Sequence, residues 1–470
     1  MTRPIEFPGE DASNEVRQSI ARDEPKSFRT FTPTQLVIHR SAGLYHYTPE
    51  GRRLADFTSG VLVANLGHQP TRWLKRLTEY VGWTGSAMET SEPYVLAPPL
   101  TAYNAISTLE DQANSRLLTS LRATRFGHHM EQVMWAASGS EAVQKAIWAA
   151  LMLQPGKNMI LATRDGFHGK KGLAGAVTGN ETSPERDPRV RFISFPKHEC
   201  CDASVRHQPF DIEPYERELE SLARELGGNI AALITEPYLG GGGSYHPPLA
   251  YLQLLEKFCR ERHIVFILDE VQSNFGRTGS MYAFETYQIS PDIVVLGKGM
   301  GNGVPVNAAV GRADVFSSLD YGWGSDTWSA HPLGCAATLA TLDIFEQDRV
   351  MEQAEKSARI LAEGLARLKE YPIVRHIRGE GHVWGIEFQD FADKSASEVA
   401  CALVRAAYLG DGEGNAIHLL GPLAGKVVRI SPPLTLSEEE ARHWMNVLES
   451  IVASLSIELA PGMLVADRSS

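Results

Sequence analysis

In the central part of the chain the hydrophobic positions come in short unbroken runs, separated by polar, glycine-rich turns and by longer stretches with helix-period spacing. The runs VMWAA, MILAT, IAALIT, IVFIL and IVVLG are apolar throughout and rich in β-branched residues, which predicts strands buried on both faces of a parallel sheet. The stretch SGSEAVQKAIWAALML and residues 213 to 227 and 249 to 262 predict the intervening helices. Strand, polar turn, helix and strand again is the α/β alternation.

The flanks read differently. Residues 34 to 57 predict short strands around the turn Thr48-Pro49-Glu50-Gly51, and about 71 to 125 predicts helices and loops. Arg349 to Glu370 predicts a long amphipathic helix, rich in Ala, Leu, Glu, Lys and Arg. Beyond it, HVWGIEF and VVRI predict strands, SEEEARHWMNVLESIVASL a helix capped by Ser437, and PGMLVADRSS a loose tail. The expected division is an N-terminal segment 1–70, a large α/β domain 71–334, and a linking helix with a smaller α+β domain over 335–470.

Length and charge narrow the function classes. A chain of 470 residues suits two or three structural units. A formal charge of −12 argues against nonspecific binding to nucleic acid or an anionic membrane, and no apolar run approaches the ~20 residues of a membrane helix. The first thirty residues lack the pattern of a signal or transit peptide. Five cysteines, an odd number without zinc-ligand spacing, point to reduced thiols and a cytoplasmic setting. Cys200 and Cys201 beside His198 are read as free thiols in a loop, because adjacent cysteines chelate one ion poorly; no metal site is expected.

Two strand ends carry the candidate chemistry. Asp269 closes one apolar run and Lys298 follows another, and in open parallel sheets ligands bind beyond the carboxyl ends of the strands. An acid and an amine there suit pyridoxal phosphate, held by the lysine as a Schiff base with its pyridinium nitrogen against the acid. Ser138-Gly139-Ser140 opens a helix, where free backbone N–H groups and the positive dipole end favour a phosphate; a plain serine cap is the competing reading. Phe167 can stack on a flat ring and His168 can make a second contact, against the competing reading of a core phenylalanine. Glu236 follows a strand, where an ordinary solvated turn carboxylate is the alternative. Gln272 is within reach of a ring hydroxyl or is a surface amide. The glycines around Lys298 do not form a nucleotide loop, because GxxxxGK[ST] is absent.

These residues, with LADFTSG, NLGH, SGSEA, FHG, LDEVQSNFGRTG, PDIVVLGKGMGNGVP, TWSAHPLGCAA, RGEGHVWGIEF and VVRISPPLTLSEEE in this order, resemble the class III pyridoxal-phosphate aminotransferases of fold type I. The match runs from about Leu54 to Leu434. The resemblance implies that Lys298 binds the cofactor covalently, Asp269 pairs with the ring nitrogen, and Val271 and Phe167 cover the two ring faces. It also implies that Gln272 contacts the ring hydroxyl and that Gly139 and Ser140 hold the phosphate. Thr327 matches a threonine that reaches the phosphate of the neighbouring subunit, which implies a homodimer. Arg429 matches an arginine that grips a substrate carboxylate.

The expected activity is transfer of an amino group from a small amino acid or amine to a 2-oxo acid. The alternative is elimination from a small amino phosphate or aminophosphonate, motivated by Lys170-Lys171 where the family has Arg-Thr after His168-Gly169. A noncatalytic binding protein that kept the fold is the third reading, and it fits poorly with Lys298, Asp269 and the phosphate elements together.

Overall fold

The computed structural model describes residues 4–89, 91–103, 105–184, 186–203 and 209–460; the tail expected over 461–470 lies outside them. The chain divides into two compact units, Thr71–Glu352 and Met1–Pro70 with Gln353–Ser470.

The larger unit is built on a seven-stranded sheet. Its spatial order is Gln132–Ala136, Asn307–Gly311, Ile293–Leu296, Val265–Asp269, Ile230–Thr235, Met159–Thr163 and Val190–Ile193. Only Asn307–Gly311 runs against its neighbours; the other six strands are parallel. Four of the strands that read as continuous apolar runs are buried along their length, as a sheet covered on both faces requires; the fifth, Gln132–Ala136, lies at the sheet edge and is buried only at Trp135 and Ala136. The helix Gly139–Leu153 covers one face with Ala142, Val143, Ala146, Ile147 and Ala150, packed into a core with Ile160, Ile234, Ile267 and Val295. The segments 213–227 and 249–262 form the helices Glu213–Glu225 and Leu249–Glu261. DGFHGKK and EPYLGGGG are turns, each leading into a later helix, Gly172–Ala176 in one case and Leu249–Glu261 in the other.

The smaller unit holds two sheets. One pairs Arg40–Ala42, Tyr45–Tyr47, Arg53–Asp56 and, in parallel, Ile417–His418. The other is the antiparallel Val374–Glu380, Val383–Phe388 and Val427–Ile430. The N-terminal helix Asp11–Asp23 and the helix Ala396–Leu409 are tied together by a buried polar cluster. Arg17 Nη2 donates to Glu10 Oε2 at 2.8 Å and to the Tyr408 hydroxyl at 3.0 Å, and Tyr408 donates to Glu10 Oε2 at 2.7 Å. The long amphipathic segment forms the helix Val350–Arg367, and Ser437 caps the helix Glu438–Leu459 with a reciprocal bond from Glu440.

Candidate active site

Because six strands share one direction, the residues after Ala136, Thr163, Thr235 and Leu296, and Asp269 itself, emerge at one edge of the sheet. Asp269 and Lys298 belong to adjacent strands, with Asp269 in register with Val295 three residues before the lysine. Asp269 is buried, its Oδ1 accepting from Val271 N at 3.0 Å and its Oδ2 from His168 Nδ1 at 2.8 Å. That second bond orients the carboxylate, and it makes His168 a support for the acid. His168 Nε2 is buried without a hydrogen-bond partner among the described residues, and a side chain on Gly166 would press on it at 3.0 Å.

Lys298 is half-buried, with φ 45°, a left-handed backbone conformation unusual for lysine. The preceding Gly297 is needed for room: a Cβ there would lie 2.0 Å from Asn307 Oδ1. Asn307, buried at the start of the antiparallel strand, also lies beside Gly139, 3.7 Å from where that residue's Cβ would be. It therefore joins the lysine loop to the helix start. Nothing in the sequence marks it, because Asn in NAAVG carries no spacing signal.

At that helix start Ser138 is the N-cap. Its Oγ accepts from Glu141 N at 3.3 Å, and Glu141 Oε2 accepts in return from Ser138 N and Ala137 N at 3.2 and 3.0 Å. Ser138 is thus used in capping, whereas the N–H groups of Gly139 and Ser140 have no protein partner among the described residues. Val271 packs over Gly139, 3.3 Å from its Cβ position, and Gly169 lies so close to Ser140 that any side chain there would strike the Oγ.

Phe167 is 39% exposed, large for an aromatic ring at the edge of a core, and it packs by its Cβ against the Gly241 backbone. Its N–H donates to Glu236 Oε2 at 2.8 Å. Glu236 departs from the solvated alternative: it is 2% exposed, its Oε1 accepts from Gly240 N at 3.3 Å, and desolvation pushes its pKa up to about 7. Gln272 Nε2 stands 3.5 Å from Glu236 Oε1, which links the glutamine to the same network. Glu270, unremarked in the sequence, is fully buried and accepts from Ala283 N and Phe284 N at 2.6 and 2.7 Å; desolvation raises its pKa to about 8. It anchors the start of the helix Ala283–Tyr287 behind Asp269.

Thr327 is exposed, in a segment held by an unforeseen buried lysine. Lys145, on the helix Gly139–Leu153, donates to Trp135 O, Ser329 Oγ and Asp326 Oδ2 at 2.7, 2.7 and 2.6 Å. Lys170 and Lys171 are exposed. Arg429 belongs to the smaller unit, buried on the strand Val427–Ile430 opposite Gly385. All five cysteines are free thiols.

These residues fit pyridoxal phosphate. A buried carboxylate with a fixed orientation, an amine one strand away, two free N–H donors at a helix start and an incompletely covered aromatic ring answer the parts of that cofactor.

The chain matches the family model described as aminotransferase class-III over residues 29–452. It is 30% identical over 442 residues to the acetylornithine aminotransferase of Agrobacterium fabrum, covering 92% of this chain and 97% of that one. It is 26% identical over 422 residues to a probable 4-aminobutyrate aminotransferase of Bacillus subtilis, with coverages of 87% and 91%. Among solved structures, the PLP-bound amine transaminase of an uncultivated Pseudomonas species superposes with TM-score 0.76 at 24% identity, over 97% of this chain and 99% of the other. The ornithine aminotransferase of Toxoplasma gondii gives 0.77 at 21%, over 95% and 96%.

Proposed function

The chain belongs to the class-III aminotransferases and is a pyridoxal-phosphate-dependent transaminase of fold type I, and from that premise we propose how its own residues carry the reaction. Lys298 Nζ would hold the cofactor and, once released from it, would carry the proton of the substrate's amine-bearing carbon. Pyridoxal phosphate supplies the electron sink that makes that carbon acidic. Asp269, held by His168 and Val271 N, keeps a proton on the ring nitrogen. Gly139 and Ser140 N–H groups bind the phosphate, and Ser138 acts through the cap that leaves them free. Phe167 and Val271 would cover the ring faces, while Glu236 fixes the loop at Phe167 and Gln272, linked to Glu236, would contact the ring hydroxyl. Arg429 takes a substrate carboxylate by paired charge-assisted bonds.

The observation that carries this reading is Asp269 and Lys298 at the carboxyl ends of neighbouring parallel strands. The amino donor we propose is an unbranched molecule with a terminal primary amine, since relatives are named for acetylornithine, 4-aminobutyrate and ornithine; the acceptor is a 2-oxo acid. Elimination gains nothing from Lys170 and Lys171, which are exposed. We further propose a cytoplasmic homodimer. Free thiols suit a reducing compartment, and among the described residues no helix is long and apolar enough to cross a membrane. In the larger unit Tyr94, Leu96, Ile106, Tyr321 and Trp328 are more than half exposed, apolar area that a second copy would cover.

Borohydride reduction followed by peptide mass spectrometry tests the lysine directly. The cofactor mass should appear on the peptide carrying Lys298 and vanish in Lys298→Ala, with activity reduced by at least about 100-fold; a normal rate in that variant rejects the assignment.

A further inference from the structure

A second cluster of chemically capable side chains lies in the smaller unit. His46 on the strand Tyr45–Tyr47, Asp56 at the end of Arg53–Asp56 and His68, bridged to Gly43, bring one donor atom each within 4.8 Å of one another. His46 and Asp56 are buried, and His68 keeps 17% of its side chain exposed. Among the described residues no other group of three histidine, cysteine or acidic side chains converges in this way.

The hydrogen bonding around Asp56 is overfull. Oδ1 accepts from Thr58 N at 2.8 Å and Thr58 Oγ1 at 2.6 Å. Oδ2 faces three nitrogens at once: His68 Nε2 at 2.7 Å, Gly60 N at 3.2 Å and His46 Nε2 at 3.3 Å. A carboxylate oxygen offers two lone pairs, so three N–H groups cannot all be well satisfied there. A cation between the imidazoles and Oδ2 removes the competition, because each histidine then presents a lone pair in place of an N–H. His46 can shift its proton to Nδ1, where Ser41 Oγ at 2.8 Å stands ready to accept it. No proton is gained or lost in that exchange of tautomers.

The spacing is also close to that of a coordination shell. Ligands at about 2.0 Å in a tetrahedron lie about 3.3 Å apart. The His46 to Asp56 separation of 3.3 Å already has that value, and the others need shifts that the partly exposed His68 side chain can make. A third imidazole, His418, lies edge-on to His46 with ring centroids 5.7 Å apart, and its buried Nδ1 has no partner among the described residues. The site is therefore rich in nitrogen donors that the cofactor chemistry of the other unit does not use.

We propose that His46, Asp56 and His68 bind a divalent cation of the zinc class, with water in the fourth position. Imidazole and carboxylate donors suit zinc, cobalt(II) or nickel(II) better than magnesium or calcium. The ion would join three separate segments of the smaller unit, acting on its stability and not on the reaction.

Zinc or cobalt(II) added alone to metal-stripped, cofactor-loaded protein provides the test. One equivalent per chain should bind, with a dissociation constant below about 10 μM. Cobalt should give a d–d spectrum without thiolate charge transfer, which separates this site from His198, Cys200 and Cys201. His46→Gln and His68→Gln should each weaken binding by more than about 100-fold, and Ser41→Ala by about 10-fold, while transaminase activity is retained. If a histidine variant fails to fold, protection of the partly exposed His68 in the unaltered protein from diethylpyrocarbonate by zinc, read by mass spectrometry, gives the same answer. Absence of stoichiometric binding, a thiolate spectrum, or unchanged binding in folded variants overturns the proposal.

Discussion

Glu236 shows how burial sets chemistry at a single residue. With its carboxyl desolvated and pushed from an ordinary value up to about 7, the folded protein holds a proton there that the unfolded chain releases near 4.5. A folded pKa above the unfolded one gives stability that is full below about pH 4.5 and is lost as pH rises through 7. Glu270, raised to about 8 by the same cause, acts in the same direction over a slightly higher range. The melting temperature of the cofactor-free protein should therefore fall between pH 5 and 8, and Glu236→Gln should flatten that slope, removing on the order of 3 kcal/mol of pH-dependent stability. An unchanged slope would place the titration elsewhere. At this scale Asp269 and Lys298 were legible because a charged group at the end of an apolar run is conspicuous. Asn307 and Glu270 were not: their roles depend on neighbours brought together across the sheet, Asn307 with Gly139 and Gly297, Glu270 with Ala283 and Phe284.

Among the elements, the helix Gly139–Leu153 does two things at once. Its first turn leaves the N–H groups of Gly139 and Ser140 without a partner among the described residues, and in its second turn Lys145 holds the segment around Thr327 through Asp326 and Ser329. Burial works against the Asp326 charge, but the bonds from Lys145 and Ser329 keep its pKa below the usual range. Lys145→Met should destabilise the protein by about 1–3 kcal/mol, less than a fully buried pair because Asp326 is one-third exposed. Cofactor affinity should fall with it, and equilibrium unfolding alongside cofactor titration checks both. The parallel strands were legible because apolar β-branched runs have few other uses. The antiparallel Asn307–Gly311 and the edge strand Val190–Ile193 were harder, one made mostly of small residues and the other short and interrupted by the charged Arg191.

For the molecule as a whole, the prediction is assembly. Light scattering should give twice the 51.6 kDa chain mass. Thr327→Ala should leave that mass unchanged and weaken cofactor binding by about 10- to 100-fold, the loss of one hydroxyl bond to a charged phosphate; a monomer with full cofactor affinity would refute the shared site. The His46, Asp56, His68 cluster lay beyond sequence reading, because these residues have no ligand spacing and meet only when the strands of the smaller unit pair.

The central claim is that this site moves an amino group and stores it on the cofactor. The purified, cofactor-loaded enzyme mixed with an amino donor alone, in the absence of any 2-oxo acid, tests that most directly. The account predicts one equivalent of carbonyl product per site, with loss of the absorbance near the visible and its return on adding a 2-oxo acid. Continuous turnover with release of ammonia and no acceptor would contradict it.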